Sequence, residues 1–204
     1  MKANYQKLFQ DYTFKSGVHV RNRFMMAPMT TFSADENDYV SEDELTYYKE
    51  RANGVGTIIT ACAYVSKSGK GFDGQMGIDH DGTIEGLSKL AKVIHDGGAK
   101  GVVQLYHGGR LAVPRLIPNG ETVSASAVTP LGDRGFYSVE HTPRALTTEE
   151  VYEIIKEFGE ATRRSIEAGF DGVELHGATG YLLQQFVSPH SNQRKDEFQN
   201  RYLF

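Results

Sequence analysis

The chain reads as an α/β protein of the (β/α)8 TIM-barrel family: the first four βα units, a half barrel, behind an N-terminal β-hairpin. Three observations predict this. Four short apolar runs stand out: "RFMMAPM" (23–29), "GTIITACAYV" (56–65), "GVVQLYH" (101–107) and "DGVELHG" (171–177). They are nearly continuous rather than alternating, as strands covered on both faces are. Amphipathic helical stretches separate them, and repeated βα units indicate a parallel sheet or barrel.

The elements follow in order. "YTFKSGVHVRNRF" (12–24) reads as a small hairpin that closes the bottom of a barrel. After the first strand, "SEDELTYYKERANG" begins a helix, with Ser41 and Glu44 as a capping box and Gly54 as its stop. In "DGTIEGLSKLAKVIHDGG", Ile84, Leu87, Leu90, Ala91 and Ile94 share one face, and Gly97 and Gly98 end the helix. In "TTEEVYEIIKEFGEATRRSIEAG", Thr147 and Glu150 form a second capping box. Its predicted stripe is Val151, Ile154, Ile155, Phe158, Thr162 and Ile166. The segment 108–146, rich in Gly, Pro and Arg, follows the third strand, and so long a connection usually carries function. A full barrel needs roughly 250 residues. These 204 supply four strands and end in "QNRYLF", which reads as the start of another helix. We expect one domain, residues 1–204, forming the N-terminal half of a barrel. The alternative is a small doubly wound sheet complete in itself.

Composition narrows the function. Lys and Arg number 22 against 26 Asp and Glu, a net charge of −4 with no basic block, so neither nucleic acid nor an anionic membrane is an expected partner. No apolar run nears the roughly 18 residues of a membrane helix, and the start has no signal-peptide core. Cys62 is the only cysteine, which points to a reducing, cytoplasmic setting.

In parallel α/β proteins ligands sit at the carboxyl ends of strands. There the chain places Pro28, Met29, Thr30 and Thr31, then Cys62, then Gln104, Tyr106 and His107, then His176, Thr179 and Tyr181. Gln104 can donate and accept, which suits a heterocycle edge. His176 can donate to a substrate oxygen, and Tyr181 carries a proton for general acid catalysis. Each has a plainer reading: a loop-bonding Gln, a structural His, a packed Tyr, strand-ending threonines, a buried thiol. His107, His176 and His190 match no metal-ligand spacing, so no metal is expected. No dinucleotide or P-loop glycine pattern occurs, nor a serine nucleophile elbow. No lysine stands at a strand end for a Schiff-base aldolase.

Together these strand ends resemble the old yellow enzyme family of FMN-dependent NAD(P)H:flavin oxidoreductases. The resemblance runs through "RNRFMMAPMTTFS", "GVGTIITACAYVSKSGKGF", "GGAKGVVQLYHGGR" and, most specifically, "GFDGVELHGATGYLLQQFVSPHSNQRKDEF". It implies a (β/α)8 barrel with FMN at the carboxyl ends of the strands. Ala27, Pro28, Met29 and Thr30 would line the flavin, with the Thr30 hydroxyl near its O4/N5 edge. Cys62 would lie against the flavin where the family usually has Gly or Ala. Gln104 would bond the pyrimidine edge, His176 would meet both flavin and substrate, and Tyr181 matches the proton donor. The implied reaction is ping-pong. NADH or NADPH reduces FMN, then an α,β-unsaturated carbonyl compound takes hydride from N5 at its β carbon and a proton from Tyr181 at its α carbon.

This chain departs from the family pattern at four points. Thr179 replaces the usual His or Asn as second carbonyl donor, and its shorter hydroxyl weakens or shifts substrate activation. Phe32 stands where one branch has Tyr, removing a hydroxyl from the substrate pocket. Cys62 brings an oxidisable sulfur beside the cofactor. Finally, "DEFQNRYLF" lacks the usual glycine pair, and the basic residue and phosphate loop of the later strands are not among these residues. The 204 residues alone are therefore expected to bind FMN poorly. A competing expectation is a non-catalytic half barrel that self-associates, as a homo-oligomer, or pairs with another half through its sheet edges.

Overall fold

The computed structural model describes residues 3–130 and 141–199. Residues 200–204 of the predicted further helix lie outside the described residues. The hairpin forms as expected: β1 (Tyr12–Thr13) and β2 (His19–Val20) pair antiparallel, with Tyr12 opposite Val20. It sits at the amino ends of the sheet, where Tyr12, Phe14 and Val20 line a hollow with Met25 and Thr57. Arg21 ties it there, donating to Ala52 O at 2.7 Å and Val55 O at 3.0 Å.

The main sheet holds β3 (Met25–Met26), β4 (Thr57–Tyr64), β5 (Lys100–Tyr106) and, last in the chain, β8 (Gly172–Leu175), all parallel and neighbours in that order. Sequential parallel strands joined through helices are the arrangement of half a (β/α)8 barrel. The first strand is shorter than its apolar run. Only Met25 and Met26 pair, with Thr57 and Ile58, and Pro28 brings no amide proton to extend the ladder. Within 108–146, β6 (Val123–Ser124) and β7 (Arg144–Ala145) form a small parallel pair.

The helices are α1 (Glu42–Arg51), α2 (Ile84–Asp96), α3 (Thr148–Glu167) and the short α4 (Leu182–Val187). The Thr147–Glu150 capping box is complete, with both reciprocal bonds made. The Ser41–Glu44 box is only half made. Ser41 Oγ accepts from Glu44 N at 3.2 Å, but the Glu44 carboxyl turns inward and takes the Thr31 hydroxyl instead. On α2 the predicted stripe is the buried one: Leu87, Leu90, Ala91 and Ile94. On α3 it is not. Val151 and Phe158 are buried as expected, but Ala161 and Ser165 complete the inner face, while Ile155 is 53% and Ile166 68% exposed. Small side chains let this helix approach the sheet closely, and a reading by large apolar residues passes over them.

The core lies between helices and sheet. Ile58, Ala63, Val65, Val103 and Leu105 meet Leu87, Leu90, Ile94, Phe158 and Ala161 in one cluster. Ile58 and Ala63 are five residues apart yet face the same way. In a regular strand, odd spacing would put them on opposite faces. A register shift between Ile59 and Cys62 resolves this: three residues of β4 span what two residues, Val102 to Gln104, span on β5. This extra residue is a β-bulge. Its amide at Ala61 donates to the buried Tyr48 hydroxyl of α1 at 2.6 Å.

The corrected α3 face makes a prediction. In urea unfolding of this chain, Leu90→Ala should cost about 2–5 kcal/mol, whereas Ile166→Ala should change stability by about 0.5 kcal/mol or less. Equal losses would restore the predicted stripe.

Candidate active site at the carboxyl ends of the strands

The bulge sets what faces the site. Beyond it, Cys62 pairs in register with Gln104 and Gln104 with Glu174, so one row crosses three strands on the face away from the helices. Tyr64 and Tyr106 form the next row, and Cys62, Tyr64 and Tyr106 cluster with Phe72 and Tyr181. His176 follows β8 directly, its amide still donating to Leu105 O at 2.9 Å. Its ring lies 4.9 Å from that of Tyr181 and 5.8 Å from that of Tyr106, and Tyr181 stands edge-on to Tyr106 at 4.5 Å. The structure therefore brings Cys62, Gln104, His176 and Tyr181 to one end of the sheet.

The turn carrying Tyr181 is tied to the end of β5. Leu182 N donates to His107 O at 3.0 Å. The buried amide of Gln185 accepts from Arg110 N at 3.2 Å and Ser124 Oγ at 3.0 Å, and donates to Gly108 O at 3.2 Å and Gly180 O at 2.8 Å. Gly109 has a φ of +59°, and a Cβ there would fall 2.4 Å from Gln185 Oε1. Sequence reasoning missed Gln185. Its signal was one amide in "YLLQQFV" falling on the same helical side as Leu182.

Three polar side chains here make no hydrogen bond within the described residues: the Thr30 hydroxyl, the Gln104 amide and the His176 imidazole. Following β3, Ala27, Met29 and Thr30 are exposed and Pro28 is half-buried. Burial lowers the His176 pKa, opposed by the charge of Glu174, so the ring is neutral at neutral pH. One Glu174 oxygen is buried without a hydrogen-bond partner among the described residues.

Thr179 is exposed and lines a hollow of about 280 Å³ with Arg110, Gln184, Ser188 and His190. Its φ is +62°, in the left-handed region that β-branched residues avoid. Phe32 also has a positive φ, +55°, and its ring meets Phe72 edge-on at 5.0 Å beside a cavity of about 520 Å³. His107 is a structural residue. It is buried, bonds Ser68 Oγ at 3.1 Å and Gly109 N at 3.0 Å, and desolvation pushes its pKa down to about 4. His190 is exposed. No group of three metal-ligating side chains lies together among the described residues, and none of their helices is long and apolar enough to cross a membrane.

Cys62 differs from the expected oxidisable thiol. It is only 6% exposed, and burial pushes its pKa up to about 12. A buried thiol with so little thiolate is inert. Native protein should therefore resist a disulfide thiol reagent at pH 8 and yield one equivalent once unfolded. Rapid native labelling would contradict this burial.

Comparison with known proteins agrees with this geometry. Residues 7–204 match the NADH:flavin oxidoreductase / NADH oxidase family. Over 198 residues the chain is 50% identical to "Probable NADH-dependent flavin oxidoreductase YqiG" of Bacillus subtilis, covering 97% of this chain and 51% of that protein. The structure of morphinone reductase in complex with tetrahydroNAD superposes with a TM-score of 0.86 at 30% identity, over 94% of this chain and 55% of that one. The old yellow enzyme homologue from Zymomonas mobilis gives 0.84 at 29% identity, over 94% and 54%. The chain thus spans about half the length of these relatives. With the family matched along nearly its whole length, the chain belongs to the NADH:flavin oxidoreductase / NADH oxidase family, the old yellow enzymes.

Proposed function

We propose that the whole protein is an FMN-dependent NAD(P)H oxidoreductase that reduces the C=C bond of α,β-unsaturated carbonyl compounds, and that these residues build one wall of its site. The observation that carries this reading is the set of unpartnered groups at the strand ends. Thr30, Gln104 and His176 hold their donors and acceptors without a side-chain hydrogen bond among the described residues, and the His176 ring abuts that of Tyr181 at 4.9 Å. Such groups fit a flat heterocycle with a polar edge. FMN, when bound, supplies hydride uptake from NADH or NADPH and hydride delivery to the alkene.

The residues of this chain do the rest. The Gln104 amide would donate to and accept from the pyrimidine edge, and the Thr30 hydroxyl would donate a hydrogen bond to the O4/N5 edge. Cys62 would lie against the flavin from the Gln104 row, and Ala27, Pro28 and Met29 would line it beside Thr30. His176 donates an N–H to the substrate oxygen. Its depressed pKa keeps it a neutral donor, which polarises the alkene without adding a charge. Tyr181 holds the proton destined for the α carbon at its phenolic oxygen.

Phe32 walls the substrate side, and Thr179 is the second oxygen donor. Both have left-handed backbones, and strain of this kind clusters where a site must hold a fixed shape. Thr179→Asn would place a residue more tolerant of that backbone there.

A second reading, a half barrel that pairs through its edges, is favoured by β8. Among the described residues it has a strand neighbour on one side only, and Leu175 is 57% exposed. A visible flavin band in the purified protein separates the two readings.

The test of the chemistry is Tyr181→Phe in the full-length protein. Enone reduction should slow about 10²- to 10⁴-fold, while flavin reduction by NAD(P)H stays within a few-fold. Equal slowing of both half-reactions would remove Tyr181 as proton donor.

A further inference from the structure

Glu44 is fully buried on the first turn of α1, an uncommon place for a carboxyl. Its backbone amide takes the Ser41 cap. One carboxyl oxygen accepts the Thr31 hydroxyl, and the other is buried with no hydrogen-bond partner among the described residues. Desolvation raises its pKa, against the lowering effect of the Thr31 bond.

The bond to Thr31 is one of three that pin the same short segment. Ser33 Oγ donates to Thr31 O at 2.9 Å, and Ser41 Oγ donates to Ser33 O at 2.5 Å. Between these anchors sits Phe32, with its φ of +55°. An aromatic residue in the left-handed region persists only where its surroundings over-determine it. Thr31 is half-buried and bonded to α1 through Glu44, while its neighbours Thr30 and Phe32 are exposed. The inward bond therefore fixes the outward residues.

We propose that Glu44 is a positioning residue: through Thr31 it holds the Thr30 hydroxyl and the Phe32 ring at the flavin and substrate face. This rests on the flavin reading above. Glu44 itself touches neither reacting atoms nor solvent. Its effect should be read on the cofactor, because a Thr30 donor at the flavin edge favours the electron-rich reduced form.

The test is the two-electron midpoint potential of the full-length flavin-loaded protein, measured against reference dyes for wild type, Glu44→Leu, Glu44→Gln and Thr31→Val. Glu44→Leu and Thr31→Val should each lower the potential by roughly the equivalent of a tenfold change in the equilibrium, about 30 mV. The double variant should fall no further than either single change. Glu44→Gln keeps a carbonyl acceptor for Thr31 and should match wild type. If Glu44→Leu does not fold, Thr31→Val, which removes only a half-buried hydroxyl, decides the matter. Potentials equal to wild type at full flavin occupancy would overturn the proposal, including when the melting temperature falls, since that leaves Glu44 a structural role only. A wild-type protein that holds no flavin would instead overturn the reading beneath it.

Discussion

The amide of Ala61 gives its proton to the buried hydroxyl of Tyr48, and much of the site depends on that bond. A bulged strand leaves one amide outside the ladder, and an unsatisfied buried amide costs about 1–3 kcal/mol. With the hydroxyl in place, β4 can carry one extra residue. That residue reverses the facing of everything beyond it. Ala63 and Val65 turn toward α2 and α3, while Cys62 and Tyr64 turn toward the row of Gln104 and Tyr106. Without the extra residue, the apolar side chains of β4 would leave the core and Cys62 would leave the strand-end face. The bond also spans 13 residues of sequence and ties the bulge of β4 to α1.

Much of the fold was legible because it rests on local pattern. The strand runs, the α2 stripe and the Thr147 capping box each follow from residues within a few positions of one another. What was not legible depends on partners far away. The bulge needs Tyr48. The half-made cap at Ser41 reflects the pull of Thr31 on Glu44. The inner face of α3 uses Ala161 and Ser165, whose small size matters only against the sheet they approach. The brevity of β3 was visible in principle, since Pro28 was there to be read.

The candidate site divides in the same way. The strand-end rule found Gln104, His176 and Tyr181, and the fold sets them at one end of the sheet. Gln185 and Glu44 were not found, since each acts on backbone or side chains contributed by another element. Thr179 was singled out as a departure from the family pattern, but its left-handed backbone belongs to the turn and could not be read from residue type. The physical picture is of outward groups left unpartnered among the described residues and inward groups tied down. Gln185 uses both ends of its amide to fix the Tyr181 turn, and Glu44 fixes the Thr31 segment, so that Thr30, Gln104 and His176 keep their bonding capacity for a ligand. Preorganisation of this kind lowers the ordering cost of binding.

We propose that the Gln104 amide is held open for the flavin's polar edge. The most direct measurement is the FMN dissociation constant of the full-length protein, by quenching of flavin fluorescence, for wild type and Gln104→Leu. Loss of one or two net hydrogen bonds of about 1 kcal/mol each should weaken binding by roughly 5- to 30-fold. An unchanged dissociation constant would contradict the account, because Gln104 would then face something other than the cofactor.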